Sequence, residues 1–197
     1  MMIKSDIDKA LEPLLKVFNE LNISFYICGS LASSAFGISR TTQDIEMVSN
    51  ISKDSVNILF ERLKKDYFID SEMILTAIDT QASFNLIHLE TMLKIDIFIH
   101  KDEIYHQTAF NRIQKNRLEQ NDNSIQLFIS SPEDVIISKL IRYKAGNEIS
   151  ERQWLDILGV IKVQKEKLDK EYLRHWSGEL GVYQLLTKAF TDCDLKI

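Results

Sequence analysis

Helical and strand-like hydrophobic patterns alternate along the first two thirds of the chain. Residues 5–22 place apolar side chains three and four positions apart, which predicts an amphipathic helix that Pro13 either strains or divides. A short apolar run at 25–28 predicts a buried strand, a small-residue helix is expected at 30–36, and a second strand is expected at 43–48. Alternating strands and helices of this kind predict an α+β fold with a mixed β-sheet flanked by helices.

The same alternation continues into the middle of the chain. The pattern predicts, in order, a helical segment with periodic residues from Val56 to Leu63, preceded by Ser52 and Lys53, then a strand over 66–69, a helix over 71–77 and strands over 83–89 and 93–99. Ser71 is the expected N-cap of the second of these helices. The last two strands are expected to be neighbours, joined by a turn near Glu90 and Thr91.

Between residues 104 and 126 the pattern is weaker and more polar. Strands over 112–118 and 124–129 are expected to pair around a turn at 121–123, where Asn121, Asp122 and Asn123 follow one another. This stretch contributes no candidate chemistry.

The pattern changes at Ser131 and Pro132, where a serine cap and a first-turn proline begin a helix. The chain beyond reads as helical throughout, with segments expected at 132–144, 150–163, 169–180 and 182–190. We therefore predict two domains: residues 1–129, which carry the sheet, and residues 130–197, a C-terminal helical bundle.

Composition limits the classes of function. The chain has 197 residues, of which 45% are hydrophobic, so a sizeable core can form. Its net charge of -5 disfavours duplex nucleic-acid binding driven by bulk charge. The two cysteines, Cys28 and Cys193, have neither metal-ligand nor disulfide spacing. The sequence contains no secretory signal and no bilayer-length apolar run, which predicts a cytoplasmic protein without a membrane partner.

Candidate chemistry lies in the acids of two strands. In an extended strand Asp44 and Glu46 point the same way, and two adjacent carboxylates repel unless a cation lies between them. Asp96 lies in the later strand, and it joins them if the two strands pair. Oxygen ligands of this kind bind Mg²⁺ or Mn²⁺ together with substrate phosphates. Upstream, the Gly29-Ser30 turn lets backbone approach a phosphate at the start of a helix.

These residues together resemble the nucleotidyltransferase superfamily, which includes DNA polymerase beta and the CCA-adding enzymes. The resemblance rests on Gly29-Ser30, Arg40, Thr42, the acid pair Asp44-Ile45-Glu46 and the lone Asp96. The longer pattern, which takes in 131–139 and 151–156, resembles small bacterial proteins related to the AbiEii-type toxins of toxin–antitoxin systems. The departure is Glu46, where many relatives carry aspartate.

The resemblance implies a role for each matching residue. Asp44, Glu46 and Asp96 would be the metal ligands and catalytic residues, with Asp96 also helping to activate the acceptor hydroxyl. The triphosphate would be held by the Gly29-Ser30 turn. Lys139 matches a helix lysine that faces the nucleotide in related toxins, and Arg40 is a further candidate for nucleotide binding.

The implied activity is transfer of a nucleoside monophosphate from a nucleoside triphosphate to an acceptor hydroxyl, with Mg²⁺ or Mn²⁺ as cofactor. The acceptor is an RNA such as tRNA, a protein side chain or a small molecule such as an aminoglycoside. A toxin of this kind would have an antitoxin protein as partner. The alternative is a non-catalytic nucleotide-binding or scaffold protein that retains the fold.

Structural roles for the same residues stay open at this point. Asp44 and Glu46 could be solvated acids on an edge strand, and Arg40 either binds phosphate or pairs with a surface acid. Lys139 could be part of an ordinary amphipathic helix. Asp156 lies four residues after Arg152, and the two are interpreted as a surface ion pair of small energetic value.

Overall fold

The computed structural model of the protein describes residues 5–42, 44–117 and 126–197. These residues form two compact units. The sheet unit lies within Met1–Ile27 and Gln43–Ile129, and the helical unit comprises Cys28–Thr42 and Ser130–Ile197.

The strands that the structure describes form one mixed sheet. In chain order they are β1 (Phe25–Cys28), β2 (Asp44–Ser49), β3 (Tyr67–Phe68), β4 (Ser83–His88), β5 (Lys94–Ile99), β6 (Gln114–Arg117) and β7 (Gln126–Ile129). Their order across the sheet is β3-β4-β5-β2-β1-β7-β6. Strand β2 is parallel to β5 and β1 is parallel to β7, whereas β4 pairs antiparallel with both β3 and β5, and β6 pairs antiparallel with β7.

The helices of the described residues cover much of the remaining chain. They are α1 (Asp6–Glu20), α2 (Gly29–Phe36), α3 (Val56–Leu63), α4 (Ser71–Thr80), α5 (Ile104–Asn111), α6 (Pro132–Ala145), α7 (Glu151–Gln164), α8 (Lys170–Glu179) and α9 (Tyr183–Thr191). In the described part of the chain, each helix is too short or too polar to span a membrane. The α+β class with a mixed sheet, predicted from the alternation of patterns, is confirmed.

One face of the sheet forms the core of the sheet unit. Alternate residues of three central strands are buried there, namely Ile45, Met47, Phe84, Leu86, Ile95 and Ile97. Because side chains alternate between faces along a strand, the residues between them lie on the opposite face, which is half-buried or exposed. The predicted acids of β2 and β5 occupy that second face.

A buried tyrosine accommodates the proline inside α1, which runs through Pro13 without ending. The hydroxyl of Tyr67 donates a hydrogen bond to the Ala10 carbonyl (2.7 Å) and accepts one from the Leu14 N–H (3.2 Å). A proline disturbs the adjoining helical turn because it has no N–H and its ring crowds the preceding carbonyl. The phenol therefore bridges backbone groups on either side of that disturbance.

Removing this hydroxyl should destabilise the protein measurably. We expect Tyr67→Phe to lower the free energy of unfolding by about 1–3 kcal/mol, because two buried backbone groups lose a partner. Urea unfolding followed by circular dichroism measures the change. The matched control is Tyr183→Phe, which alters a tyrosine that is 43% exposed and should have little effect. Equal effects of the two substitutions would contradict the bridging role of Tyr67.

The helical unit is built on α6 and α7, with α2 packed on both. Gly37, the C-cap of α2, lies so close to α7 that an added side-chain carbon would be 2.8 Å from the Val160 nitrogen. The predicted start of α6 is also confirmed, since Ser131 Oγ accepts a hydrogen bond from the Asp134 N–H and Pro132 occupies the first turn. These local signals depend on adjacent residues and were therefore readable in the sequence.

Two predictions of local structure are wrong. Asp70, not Ser71, is the N-cap of α4, because its carboxylate accepts hydrogen bonds from the N–H groups of Glu72 and Met73. The sequence prediction also missed α5, in which only Tyr105 and Ala109 are buried, too few to mark a helical period. The predicted strand residue Gln43 and the turn at 121–123 lie outside the described residues.

Candidate functional site

The pairing of β2 with β5 sets the positions of the predicted acids. In this parallel pair Asp44 is opposite Lys94, and Glu46 is opposite Asp96. Between them lie Ile45 and Ile95, which are paired with each other and buried in the core. Because side chains alternate between faces along a strand, all four flanking residues lie on the sheet face opposite the core. The strand adjacency on which the three-carboxylate prediction depends is therefore present.

A lysine that the sequence reasoning did not weigh lies among these acids. Lys94 Nζ is 2.9 Å from Asp96 Oδ1. The hydrogen bond to Asp96 raises the pKa of Lys94, slight burial opposes that rise, and the negative charges of Asp96, Asp44 and Glu46 add to it. Lys94 could have been recognised in the sequence, because it lies two residues before Asp96 on the same predicted strand and therefore on the same face.

The donor chemistry of this acidic face suits a hard divalent cation, because carboxylate oxygens are the ligands that Mg²⁺ and Mn²⁺ prefer. Across residues 5–42, 44–117 and 126–197, however, no group of three or more acidic, histidine or cysteine side chains is arranged to hold an ion. Asp96 instead accepts a hydrogen bond from the Lys94 ammonium. The assignment of Asp44, Glu46 and Asp96 as metal ligands stays a prediction.

The predicted phosphate-binding turn begins α2, in the helical unit. Gly29 has φ of 60°, a left-handed conformation that favours glycine, and it is the first residue of the helix. The Oγ of Ser30 accepts a hydrogen bond of 2.7 Å from Arg40 Nη2. Backbone N–H groups at such a helix start attract anions, so the local conformation suits a phosphate.

Arg40 and Lys139 meet at one buried carboxylate. Arg40 donates from Nε and Nη2 to the two oxygens of Asp156, both at 2.9 Å. Lys139 Nζ donates to Asp156 Oδ2 at 2.8 Å and to Gln153 Oε1 at 3.1 Å. Lys139 is only 2% exposed and Asp156 only 8%. We call Arg40, Lys139 and Asp156 the buried ion cluster.

The electrostatics of this cluster favour the charged carboxylate. Burial alone would raise the pKa of Asp156, but hydrogen bonds from Arg40 and then Lys139, together with their positive charges, outweigh burial and hold the pKa below its usual range. The interpretation of Asp156 as the surface partner of Arg152 is wrong, because its carboxylate is buried and its bonds go to Arg40 and Lys139. Lys139 is likewise not on a solvent-facing side of α6.

The pairing of Asp156 with Arg40 was missed in the sequence because the two residues are remote. Arg40 and Asp156 are 116 positions apart, and no local spacing marks such a pair. Within the helical unit the structure thus links Ser30, Arg40 and Lys139 through hydrogen bonds to one another or to Asp156. Within the sheet unit it aligns Asp44, Glu46 and Asp96.

Comparison of the sequence with protein-family models and with curated proteins finds no match. Comparison of the fold with solved structures, in contrast, finds similar proteins. The lincosamide antibiotic adenylyltransferase LnuA, bound to lincomycin, is similar with a TM-score of 0.52 at 13% identity, over 79% of this chain and 97% of that one. For ANT(2'')-Ia in complex with adenylyl-2''-tobramycin the TM-score is 0.56 at 10% identity, over 90% and 98% of the two chains.

A third similar structure is an antigenic nucleotidyltransferase-like protein from Paracoccidioides brasiliensis. Its TM-score is 0.50 at 17% identity, over 91% of this chain and 92% of that one. In each of the three comparisons the similarity covers most of both chains, so it concerns the whole architecture and not one motif. The protein therefore has the fold of the nucleotidyltransferases.

Proposed function

We propose that this protein is a metal-dependent nucleotidyltransferase, which moves a nucleoside monophosphate from a nucleoside triphosphate to an acceptor hydroxyl. The observation that carries the proposal is the β2–β5 register, which aligns Asp44, Glu46 and Asp96 on one face of a sheet in a nucleotidyltransferase fold. Carboxylates on adjacent strands are a means of placing divalent cations against phosphate oxygens.

The proposed reaction balances without any further reactant. The acceptor oxygen attacks the α-phosphorus and forms a new P–O bond, while the bond from that phosphorus to the α–β bridging oxygen breaks and pyrophosphate leaves. Bound divalent cations would supply neutralisation of the phosphate charge. Asp44 and Glu46 would hold the divalent cation that binds the triphosphate, and Asp96 would accept the proton of the attacking hydroxyl or orient that hydroxyl.

The remaining predicted residues serve nucleotide binding in this proposal. Within the helical unit, the Gly29-Ser30 turn is the proposed phosphate-binding element, supported by the left-handed conformation of Gly29 at the start of α2. The buried ion cluster carries a net positive charge, and Arg40 Nη2 reaches Ser30 Oγ. Arg40 and Lys139 thereby support this turn electrostatically. Residues 1–129 then carry the catalytic groups, and residues 130–197 the helical portion with Lys139.

The acceptor class is a finer part of the proposal. Both LnuA and ANT(2'')-Ia are described with antibiotics or an adenylylated antibiotic, which favours a small hydroxylated compound such as an aminoglycoside. The resemblance of 131–139 and 151–156 to AbiEii-type toxins is the ground for a second acceptor, tRNA, with an antitoxin as partner. Expression without a partner gene distinguishes the two, because arrest of growth is expected only of the toxin.

Calorimetry with the four nucleoside triphosphates, with and without Mg²⁺, tests the proposal first. We expect binding that requires the metal, followed by label transfer when an α-labelled nucleotide is incubated with a cell extract or an aminoglycoside panel. Binding without any transfer would favour the non-catalytic nucleotide-binding alternative. Absence of binding with every nucleotide would favour a scaffold protein.

A further inference from the structure

Arg40 connects the start of α2 to α7 within the helical unit. Its Nη2 donates one hydrogen bond to Ser30 Oγ at 2.7 Å and another to Asp156 Oδ2 at 2.9 Å. Its Nε donates to the other oxygen of Asp156, also at 2.9 Å, and its Nη1 donates to the Thr41 carbonyl at 3.3 Å. Because a guanidinium is planar and rigid, these bonds fix its position and orient the Ser30 side chain.

The chain between α2 and Arg40 is itself packed closely on α7. Gln164 of α7 donates a hydrogen bond of 2.7 Å from Nε2 to the Phe36 carbonyl, at the end of α2. An added side-chain carbon on Gly37 would be 2.9 Å from the Gly159 carbonyl carbon, and one on Gly159 would be 3.3 Å from the Ile38 nitrogen. Helix α7 therefore holds the segment that leads to Arg40 as well as the Arg40 side chain.

Asp156 is the fixed end of this connection. Its carboxylate is buried and also accepts a hydrogen bond of 2.8 Å from Lys139 Nζ, which donates in turn to Gln153 Oε1 at 3.1 Å. Movement of Asp156 away from Lys139 is unfavourable, because it would leave a buried charge without its partner. A carboxylate also repels a phosphate, so Asp156 is suited to hold the cationic Arg40 and not to contact an anion itself.

We propose that Asp156 is a positioning residue for nucleotide binding, which through Arg40 holds Ser30 and the start of α2 in the arrangement that receives phosphate. This inference rests on the proposed function, in which the Gly29-Ser30 turn is the phosphate-binding element. A site whose side chains are ordered beforehand binds more tightly, because binding does not then have to order them. Asp156 thereby acts on the affinity for the triphosphate and not on the chemical step.

Calorimetric titration of the full-length protein with inorganic triphosphate, in the presence of Mg²⁺, tests the proposal. Asp156→Asn keeps the size of the side chain but removes its charge and turns N–H groups towards the Arg40 donors. We expect it to bind triphosphate about tenfold more weakly, the size that ordering released polar side chains on binding gives. Arg40→Lys should weaken binding similarly, because an ammonium keeps the charge but lacks the planar fork that joins Ser30 to Asp156.

Two control variants separate positioning from loss of charge and from loss of stability. Glu171→Gln neutralises an exposed acid of α8 in the same unit and should leave triphosphate affinity unchanged. Leu186→Ala opens a cavity at a fully buried position of α9, so it should destabilise the helical unit and still leave the affinity unchanged. In a transfer assay, Asp156→Asn should raise KM for the nucleotide while kcat stays close to that of the wild type.

The outcomes distinguish this inference from the proposed function. Gly29→Ala tests the turn directly, because Gly29 has a left-handed φ of 60° that alanine disfavours. If Gly29→Ala weakens binding but Asp156→Asn, or Arg40→Lys where the former does not fold, binds as the wild type does, the positioning role is overturned and the turn stands. An equal loss in Leu186→Ala also overturns it. If the wild type does not bind triphosphate, or Gly29→Ala binds it equally well, the phosphate-binding turn fails and the positioning role fails with it.

Discussion

Replacing Asp44 with asparagine is expected to lower nucleotide transfer about 1,000-fold while leaving the protein folded. The substitution keeps the shape of the side chain but removes the charge that is proposed to bind the metal. Asp44 is exposed and faces away from the core, so its loss should not affect packing. Glu46→Gln and Asp96→Asn should have effects of similar size. Transfer of an α-labelled nucleotide to the acceptor measures the change.

A matched acid elsewhere in the sheet unit provides the control for this experiment. Asp79→Asn alters an exposed aspartate of α4 whose carboxylate pairs with Lys53, and it should retain wild-type activity. Circular dichroism should show the same folded spectrum for both variants. If Asp44→Asn transfers nucleotide as fast as the wild type, the acidic face of β2 and β5 is not the catalytic site.

Replacing Asp156 with alanine is expected to destabilise the protein by about 3–5 kcal/mol. The reason is the burial of Lys139, whose ammonium would lose its carboxylate partner while remaining 2% exposed. Arg40 would lose both of its hydrogen bonds to that carboxylate in the same step. Breaking a buried pair costs more than the pair itself contributes, because one charge stays buried without compensation. Urea unfolding at neutral pH measures the loss.

Arg152→Ala distinguishes the buried ion cluster from a surface ion pair. Arg152 is exposed on the same helix, four residues before Asp156, and its removal should change stability by less than about 0.5 kcal/mol. Equal losses of stability in Asp156→Ala and Arg152→Ala would contradict the cluster.

Acid unfolding provides a second measurement of the role of Asp156. Because the folded-state pKa of Asp156 is lowered, its stabilisation is complete above about pH 4 and is lost as pH falls through that lowered value.

This stability difference can be followed against a variant that does not titrate. The wild type should be more stable than Asp156→Asn by a constant amount near neutral pH, and the difference should shrink as the solution is acidified below about pH 4. A difference that instead grew on acidification would contradict the assigned direction of the pKa.

Much of the fold could be predicted because its signals are local. The strands β2, β4 and β5 alternate buried and exposed residues, and the start of α6 depends on Ser131 and Pro132 alone. Helix α5 escaped prediction because it buries only Tyr105 and Ala109, too few positions to mark a helical period in the sequence. The cap of α4 was misassigned because Asp70 and Ser71 are both good capping residues, and only backbone geometry distinguishes them.

The sequence by itself determined that Asp44 and Glu46 share a face, because the two-residue period of a strand requires it. It also determined which residues are chemically suited to bind metal and phosphate. Only the tertiary structure decided the β2–β5 register, which puts Glu46 across from Asp96 and Lys94 across from Asp44. Only the tertiary structure joined Arg40 to Asp156, because contacts between remote segments depend on the packing of whole elements and leave no periodic trace in the sequence.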